Sequence, residues 1–288
     1  MSAGRTLRDL MAAGFTAAPG ACDAFTARLI GRAGFGAVYL GGNALGLSLA
    51  AGQPLVTLTE TAEAAARIAR TTEAPLIVDA ASGFGAPPHV LRTVREIEAS
   101  GAAALHIDDQ PFPKSPSYHR GAGGLATVEE CTAKLAVAAR ARKDRDFMIF
   151  ARTDALRVTG DLGAAIARGQ AYASAGADGL IILDIEPGQV AEVRAALPQI
   201  PLVWLGGVPK PAPAISDLAA AGFALGLYPF NTVAAIAEAV TNLWRGVAET
   251  GAPDQDEAFL VRWRKDLSEV AGMPEYWSLE DRLKDGRP

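Results

Sequence analysis

Short apolar runs recur along this chain, and each is separated from the next by a longer Ala-rich amphipathic stretch. The runs are Thr16–Pro19, Ala37–Leu40, Leu76–Ala80, Ala104–Asp108, Met148–Arg152, Gly179–Leu183, Leu202–Leu205 and Ala224–Tyr228. They are near-continuously apolar rather than alternating, the pattern of strands buried on both faces of a parallel sheet. Leu58–Thr71, His89–Ser100, Thr127–Arg142, Leu162–Ala175, Pro187–Ala196 and Ala212–Ala221 read as helices between them. Several helices close on a glycine, as at Ala33-Gly34, Ser100-Gly101, Ala175-Gly176 and Ala221-Gly222, the expected residue past a helix end. Eight strands alternating with helices in one domain-sized chain predict an α/β fold, a (β/α)8 barrel of the TIM type. A doubly wound open sheet is the competing architecture, but the glycine-rich dinucleotide fingerprint after the first strand is absent.

The barrel is expected over residues 1–231. Beyond it the pattern changes to a long helix, Val233–Thr250, and polar Trp-containing segments with no further strand. This predicts a C-terminal helical extension, 232–288, packing on a neighbouring subunit. The net charge of −5 comes with no basic run, which argues against nucleic acid or an anionic membrane surface as partner. Cys22 and Cys131 lie far apart, with no Cys/His cluster, so a disulfide framework or structural zinc is not expected and a reducing cytoplasm fits. The first residues lack a signal-peptide apolar core, and no apolar run approaches the roughly 20 residues of a membrane span.

In such a barrel the chemistry sits at the C-terminal ends of the strands. Here those ends carry Cys22-Asp23, Gly41-Gly42-Asn43, Asp79, Asp108-Asp109-Gln110, Arg152-Thr153-Asp154, Asp184-Ile-Glu186, Gly206-Gly207 and Tyr228-Pro-Phe-Asn231. Asp79 and Asp108 on adjacent strand ends form a plausible pair for a hard cation, because magnesium takes oxygen ligands and keeps several waters. Asp also favours helix caps and turns, which is the competing reading of either residue. Arg152 can clamp a carboxylate or phosphonate through two parallel hydrogen bonds. Its alternative is a rim salt bridge to Asp154 or Asp184.

The segment Pro111–Leu125 is too rich in Pro, Gly and Ser for a regular element. A loop of that length in a compact barrel is often a lid. It carries Lys114, Ser117, Tyr118, His119 and Arg120, groups able to donate to an anionic substrate or exchange protons with it.

Taken together, Pro19-Gly-Ala-Cys-Asp23, Gly34-Phe-Gly-Ala-Val-Tyr39, Val78-Asp79…Gly83-Phe84-Gly85, His106-Ile-Asp-Asp-Gln110, Pro113-Lys114 and Ala151-Arg-Thr-Asp-Ala155 resemble the isocitrate lyase / phosphoenolpyruvate mutase superfamily over roughly residues 5–245. The resemblance implies a barrel whose last helix is swapped with a partner, a dimer or tetramer, Mg²⁺ at the strand ends and a gating loop after strand 4. It implies a small 2-oxo or 2-hydroxy carboxylate substrate and C–C or P–C bond chemistry through an enolate. By the same resemblance Asp79 and Asp108 hold the metal and Lys114 is the gating-loop lysine. Arg152 clamps the substrate, and Tyr39, Gly41, Gly42 and Asn43 line its site.

The chain also departs from that pattern. Ala81 stands where the family has a second strand-3 acid, Ala51–Leu55 holds no aspartate, and Leu205 replaces a strand-7 asparagine. These changes predict a weaker magnesium site. The loop Lys114-Ser-Pro-Ser-Tyr-His119 lacks the lyase cysteine, and Pro116 replaces the mutase asparagine. Tyr118 and His119 are left as proton-transfer candidates, an unperturbed His being suited to this near neutral pH. The expected function is a Mg²⁺-dependent carbon–carbon lyase or decarboxylase acting on a small di- or tricarboxylate. The alternatives are a phosphonopyruvate-type P–C mutase or hydrolase, and a barrel that has lost catalysis and serves as a binding subunit.

Overall fold

A computed structural model of the chain describes residues 1–120, 123–206 and 211–285, leaving aside the side chain of His119. Its eight strands are β1 Thr16–Pro19, β2 Val38–Leu40, β3 Leu76–Asp79, β4 Ala104–Asp108, β5 Met148–Thr153, β6 Gly179–Ile182, β7 Leu202–Leu205 and β8 Leu225–Tyr228. All pairings are parallel, in the order β1-β8-β7-β6-β5-β4-β3-β2. One further parallel bridge, Gly20 to Tyr39, joins β1 to β2 and closes the barrel. Gly20 N donates to Tyr228 O on one side while Ala21 N donates to Tyr39 O on the other. A Cβ on Gly20 would lie 2.6 Å from Tyr228 O, so only glycine lets three strands meet there.

Side chains alternate between two buried clusters with the period of a strand. Tyr39, Ile77, Met148, Phe150, Ile181, Val203, Leu205, Leu225 and Leu227 share the inner cluster. Their neighbours Val38, Leu76, Val78, Ile149, Ala151, Leu202 and Trp204 pack outward with the helices. Both faces are therefore apolar, which is why these strands read as continuous runs. The first helix, Ala3–Ala13, sends Leu7 into the inner cluster, and Gly4 lies against the Asp146–Phe147 backbone just ahead of β5.

Helix starts follow their caps. Asp23 forms a capping box with Thr26, and Thr57 forms one with Glu60. Asp23, one of the strand-end acids, is thus committed to a helix N-terminus. The Ala212–Ala221 stretch becomes helical only from Ile215, because Pro211 and Pro213 hold the chain extended before it. Among its described residues, the Pro-rich segment 111–125 contains one 3-10 stretch, Pro116–Arg120.

The chain divides into two compact units, 1–233 and 234–288. The second comprises most of helix Asn231–Thr250 with helices Glu257–Val270 and Met273–Lys284. It leaves Trp244, Leu260, Val261, Tyr276 and Trp277 exposed. Among the described residues, no helix is long and apolar enough to cross a membrane.

Candidate active site

β3 delivers Asp79 to the rim, and the chain then turns through Ala81, whose φ of 50° is left-handed. That turn aims the Ala81 amide back at Asp79 Oδ1, at 2.8 Å. Asp79 Oδ2 accepts from Gly42 N at 3.1 Å and from Gln53 Nε2 at 3.2 Å. Gly42 opens the helix Gly42–Ser48 that follows β2, and a Cβ there would lie 3.1 Å from Asp79 Oδ2 and 3.0 Å from Gln53 Nε2. The glycine is what lets backbone, amide and carboxylate close on one another.

Below this cluster Tyr39 Oη lies 2.8 Å from His106 Nε2, which sits 3.8 Å from Asp79 Oδ1. Burial pushes the His106 imidazole down, against the pull of Asp79, so the ring is neutral near pH 7. Burial, reinforced by the charge of Asp79, pushes the Tyr39 hydroxyl well above its ordinary value; it therefore donates to Nε2. Burial alone would raise the Asp79 carboxyl, but His106, Lys114, Arg152 and the Ala81 amide hold it well below the usual carboxylate range. With His106 neutral, the cations sustaining Asp79 at pH 7 are Lys114 and Arg152.

Asp108, at the end of β4, receives the buried Lys114 ammonium in an ion pair. Burial opposes that charge, yet Asp108 and Asp79 together keep the Lys114 pKa above its ordinary value. Asp109, its immediate neighbour, serves a different purpose. It accepts from Thr153 Oγ1 at 2.7 Å, Asp154 N at 2.8 Å, Tyr172 Oη at 2.9 Å and Arg168 Nη1 at 3.1 Å. It thereby locks the ends of β4 and β5 together.

Arg152, at the end of β5, forks onto Asp154 through Nε at 2.8 Å and Nη2 at 3.1 Å. Gln110 Nε2 steadies the same carboxylate at 2.8 Å. Nη2 of Arg152 also donates to Tyr118 Oη at 2.8 Å, and that hydroxyl donates to Asp154 Oδ2 at 3.1 Å. The pair anticipated for Arg152 at the rim is thus Asp154; Asp184 pairs with Arg157 instead.

A cleft of about 90 Å³ opens here, lined by Tyr39, Gly41, Gly42, Asn43, Gln53, Asp79, Tyr118, Arg152, Arg157, Leu183, Leu205, Gly206 and Pro229. That is room for a few water molecules or a small acid. Asp108 and Lys114 lie beneath the lining, 2% and 7% exposed. Tyr118 descends from the 111–125 segment to form part of the wall. The His119 side chain, the other proton-transfer candidate, lies outside the described residues. A larger hollow beside Asn242, Leu243 and Asp254–Phe259 in the second unit brings together no comparable set of catalytic groups.

Sequence reasoning missed Gln53 and Arg157. Neither is an acid or a strand-end residue, and their roles depend on contacts 26 and 27 residues away. The only sequence signal for Gln53 was its place in a loop where a related chain would carry an acid.

Acids and a fork-held arginine gather at the C-terminal rim of a closed parallel barrel, with a loop tyrosine set upon them, where (β/α)8 enzymes carry their active sites. Residues 7–248 match the family model described as Phosphoenolpyruvate phosphomutase, and the chain belongs to the phosphoenolpyruvate mutase/isocitrate lyase superfamily. It is 36% identical to the 2,3-dimethylmalate lyase of Eubacterium barkeri, over 85% of this chain and 86% of that one. It is 33% identical to an oxaloacetate decarboxylase of Bradyrhizobium sp. (strain ORS 278), over 86% of each chain. A crystal structure of phosphonopyruvate hydrolase complexed with oxalate and Mg²⁺ superposes with a TM-score of 0.87 at 30% identity, covering 98% of this chain and 99% of that one. Among such relatives the chain is an enzyme of the carbon–carbon lyase group.

Magnesium is the metal this superfamily implies. Among the described residues no three His, Cys, Asp or Glu side chains gather as a metal cluster. Asp79 and Asp108 nevertheless offer hard oxygens, and they already share the field of one buried ammonium, Lys114. A place built for positive charge with two carboxylates suits magnesium when waters complete its octahedron. The residues fit the ion, with Gln53 donating to Asp79 where another acid would have added an oxygen.

Proposed function

We propose that this protein is a Mg²⁺-dependent lyase or decarboxylase that cleaves a C–C bond in a small 2-oxo or 2-hydroxy di- or tricarboxylate through an enolate. The observation that carries this reading is the cleft shared by ionised Asp79, the Gly41–Gly42 turn and an Arg152 held rigid by Asp154. Asp79 and Asp108 would hold the ion, more weakly than a site with a third acid. Magnesium, when bound, supplies positive charge that lowers the energy of the developing enolate oxygen.

The chain's own residues account for the rest. Arg152 exchanges its Nη2 contact with Tyr118 for the substrate carboxylate, while Asp154 keeps the guanidinium plane fixed. Binding geometry is thus prepaid before substrate arrives. Gly41 and Gly42 admit the substrate's carboxylate and carbonyl oxygens, since a Cβ on either would press on Tyr39 or Gln53, and Asn43 lines the same cleft. With a 2-oxo diacid the C–C bond breaks to release CO2. With a 2-hydroxy acid the hydroxyl gives up its proton to a base and becomes the carbonyl of the departing 2-oxo acid. In both cases the C–C electron pair enters the enolate, whose carbon then takes up a proton. Burial pushes the Tyr118 hydroxyl up, so it keeps its proton at neutral pH and is set to deliver it; His119 is the other candidate on the same loop. Leu183, Leu205 and Pro229 keep water from competing.

The test is product formation from oxaloacetate, 2-methylisocitrate and 2-alkylmalates by the purified enzyme, with and without Mg²⁺. Turnover that survives Asp79→Ala unchanged would sink this mechanism. The loop Lys114–His119 and the likeness to phosphonopyruvate hydrolase favour a second reading, P–C cleavage, which phosphate release from phosphonopyruvate separates from the first. We infer further that residues 232–288 pack on a second copy of the chain. The exposed Trp244, Leu260, Val261, Tyr276 and Trp277 give more apolar surface than a monomer usually leaves uncovered. Light scattering showing a monomer at micromolar concentration would overturn that inference.

A further inference from the structure

The mechanism above leaves one cationic side chain of the cleft unused. Arg157 lines the same cavity as Arg152 but stands on the short helix Ala155–Thr159 that follows β5. The two guanidiniums differ in access. Arg152 is buried, whereas the Arg157 side chain keeps 32% of its surface open and can meet an incoming ligand.

Arg157 is also held in a defined plane. Its Nε and Nη2 form a two-pronged contact with Asp184 Oδ2 and Oδ1, each at 2.6 Å. Asp184 follows β6 with φ at +66°, a left-handed conformation that a non-glycine residue keeps only when its surroundings demand it. The remaining nitrogen, Nη1, donates to Tyr118 Oη at 3.1 Å, the oxygen that also receives Arg152 Nη2 at 2.8 Å. One hydroxyl therefore bridges two arginines across the cleft. A ligand that displaces Tyr118 meets two guanidiniums a single atom's span apart, with Leu183 and Leu205 as apolar walls beside them.

We propose that Arg157 is a specificity-determining residue that takes the second carboxylate of the substrate, the one not held by Arg152. This rests on the lyase reading above and deepens it by naming short dicarboxylates as the preferred class. Asp184 takes Nε and Nη2 and so fixes the guanidinium plane, leaving the Nη1 group now on Tyr118 to donate a charge-assisted hydrogen bond to the carboxylate. The competing role is a rim salt bridge that merely steadies Tyr118. Exposed pairs of that kind contribute little and would not distinguish one acid group from two.

The experiment is calorimetric binding of 2-methylmalate and of 2-hydroxy-2-methylbutyrate, which has a methyl group in place of the second carboxylate, in the presence of Mg²⁺. The wild type is expected to prefer the diacid. Arg157→Gln should weaken 2-methylmalate by roughly 10-fold or more, the usual worth of a charged hydrogen bond, and leave the monoacid within about 3-fold. Arg157→Lys, which keeps the charge but not the two-pronged contact with Asp184, should retain part of the preference. Equal weakening of both ligands in Arg157→Gln would overturn this assignment and leave the lyase reading standing. A wild-type enzyme that binds neither acid, nor oxalate, would overturn both.

Discussion

Asp108 and Asp109 are consecutive, buried and at the same strand end, yet they belong to two differently built regions. Around Asp109 every donor is a fixed part of the barrel: Thr153, the Asp154 amide, Tyr172 and Arg168. Around Asp79 and Asp108 the donors are the Gly42, Ala81 and Gln110 backbone amides, the Gln53 side-chain amide and a loop lysine. Gly42, Gln53 and Asp79 face the cleft, with Asp108 paired to Lys114 just beneath its lining; Asp109 is instead turned to the barrel's own donors. The first arrangement is saturated and closed to ligands. The second is balanced but open to exchange, and a carboxylate there can trade a hydrogen bond for a cation without stranding a buried group. The difference separates scaffold from site better than residue type does.

The largest effect should come from the closed region. Asp109→Ala strands Arg168 and leaves Tyr172 and Thr153 without their acceptor. Breaking a buried ion pair on one side costs about 3–5 kcal/mol, which denaturant unfolding at pH 7 would report. In the open region, Asp79→Ala should cost well under that in stability, because water in the cleft can satisfy Gly42 and Gln53. Its effect should appear in turnover instead, a fall of about 10²–10³ in kcat, as for loss of one group stabilising an oxyanion. If both variants lost mainly stability, the contrast between the regions would collapse.

Acidification sharpens the same contrast. Asp79 and Asp154 sit below the ordinary carboxylate value in the folded protein. A depressed acid contributes stability that is fully present above its unfolded pKa, about 4, and is lost as pH falls toward the folded value. Burial also holds the His106 imidazole below its ordinary value. Stability should therefore begin to fall as pH drops through about 6.5, where the unfolded chain takes up that proton first, and the depressed carboxylates should add a steeper loss below about pH 4. Asp79→Ala should lose less over that interval than the wild type, since one of the depressed groups is gone. Parallel denaturant titrations at pH 7 and 3.5 measure the difference.

The sequence carried the barrel legibly because eight apolar runs flanked by capped helices leave few other ways to bury both faces. The runs at Thr16, Ala104 and Leu202 match their strands end to end. The run at Met148 gains Thr153, a polar end that still pairs. The other four each lose one apolar end residue, Ala37, Ala80, Leu183 or Ala224, that lies buried or half-buried beyond the paired strand. Asp79, Asp108, Arg152 and Tyr118 were legible as candidates because strand ends and a Pro/Gly-rich loop fall at one rim in such a fold. What the sequence could not carry was pairing. Whether Arg152 meets Asp154 or Asp184 depends on which way each side chain leaves its strand. Gln53 reaches Asp79 only because Gly42 lets three elements converge.

Ala81 gives the smallest prediction and the most specific one. Its φ of 50° is costly for alanine, whereas aspartate is among the few residues that visit this region readily, through local hydrogen bonding of its short side chain. Ala81→Asp should therefore leave thermal stability unchanged or slightly raised, although it adds a charge beside Asp79. The added carboxylate would enter the open region, where Lys114 and Arg152 already sustain negative charge, and supply the oxygen the thinned shell lacks. One further contact of this kind should tighten Mg²⁺ by about 10-fold, on the scale of one charged hydrogen bond, read by calorimetric titration of the metal alone. Tighter metal with undiminished folding would mean that the left-handed turn after β3 remains shaped for an acid and that Ala81 altered its ligand set without altering its backbone. Unchanged affinity would mean that the Gln53 and Gly42 donors on Asp79, rather than the missing carboxylate, set the strength of the site.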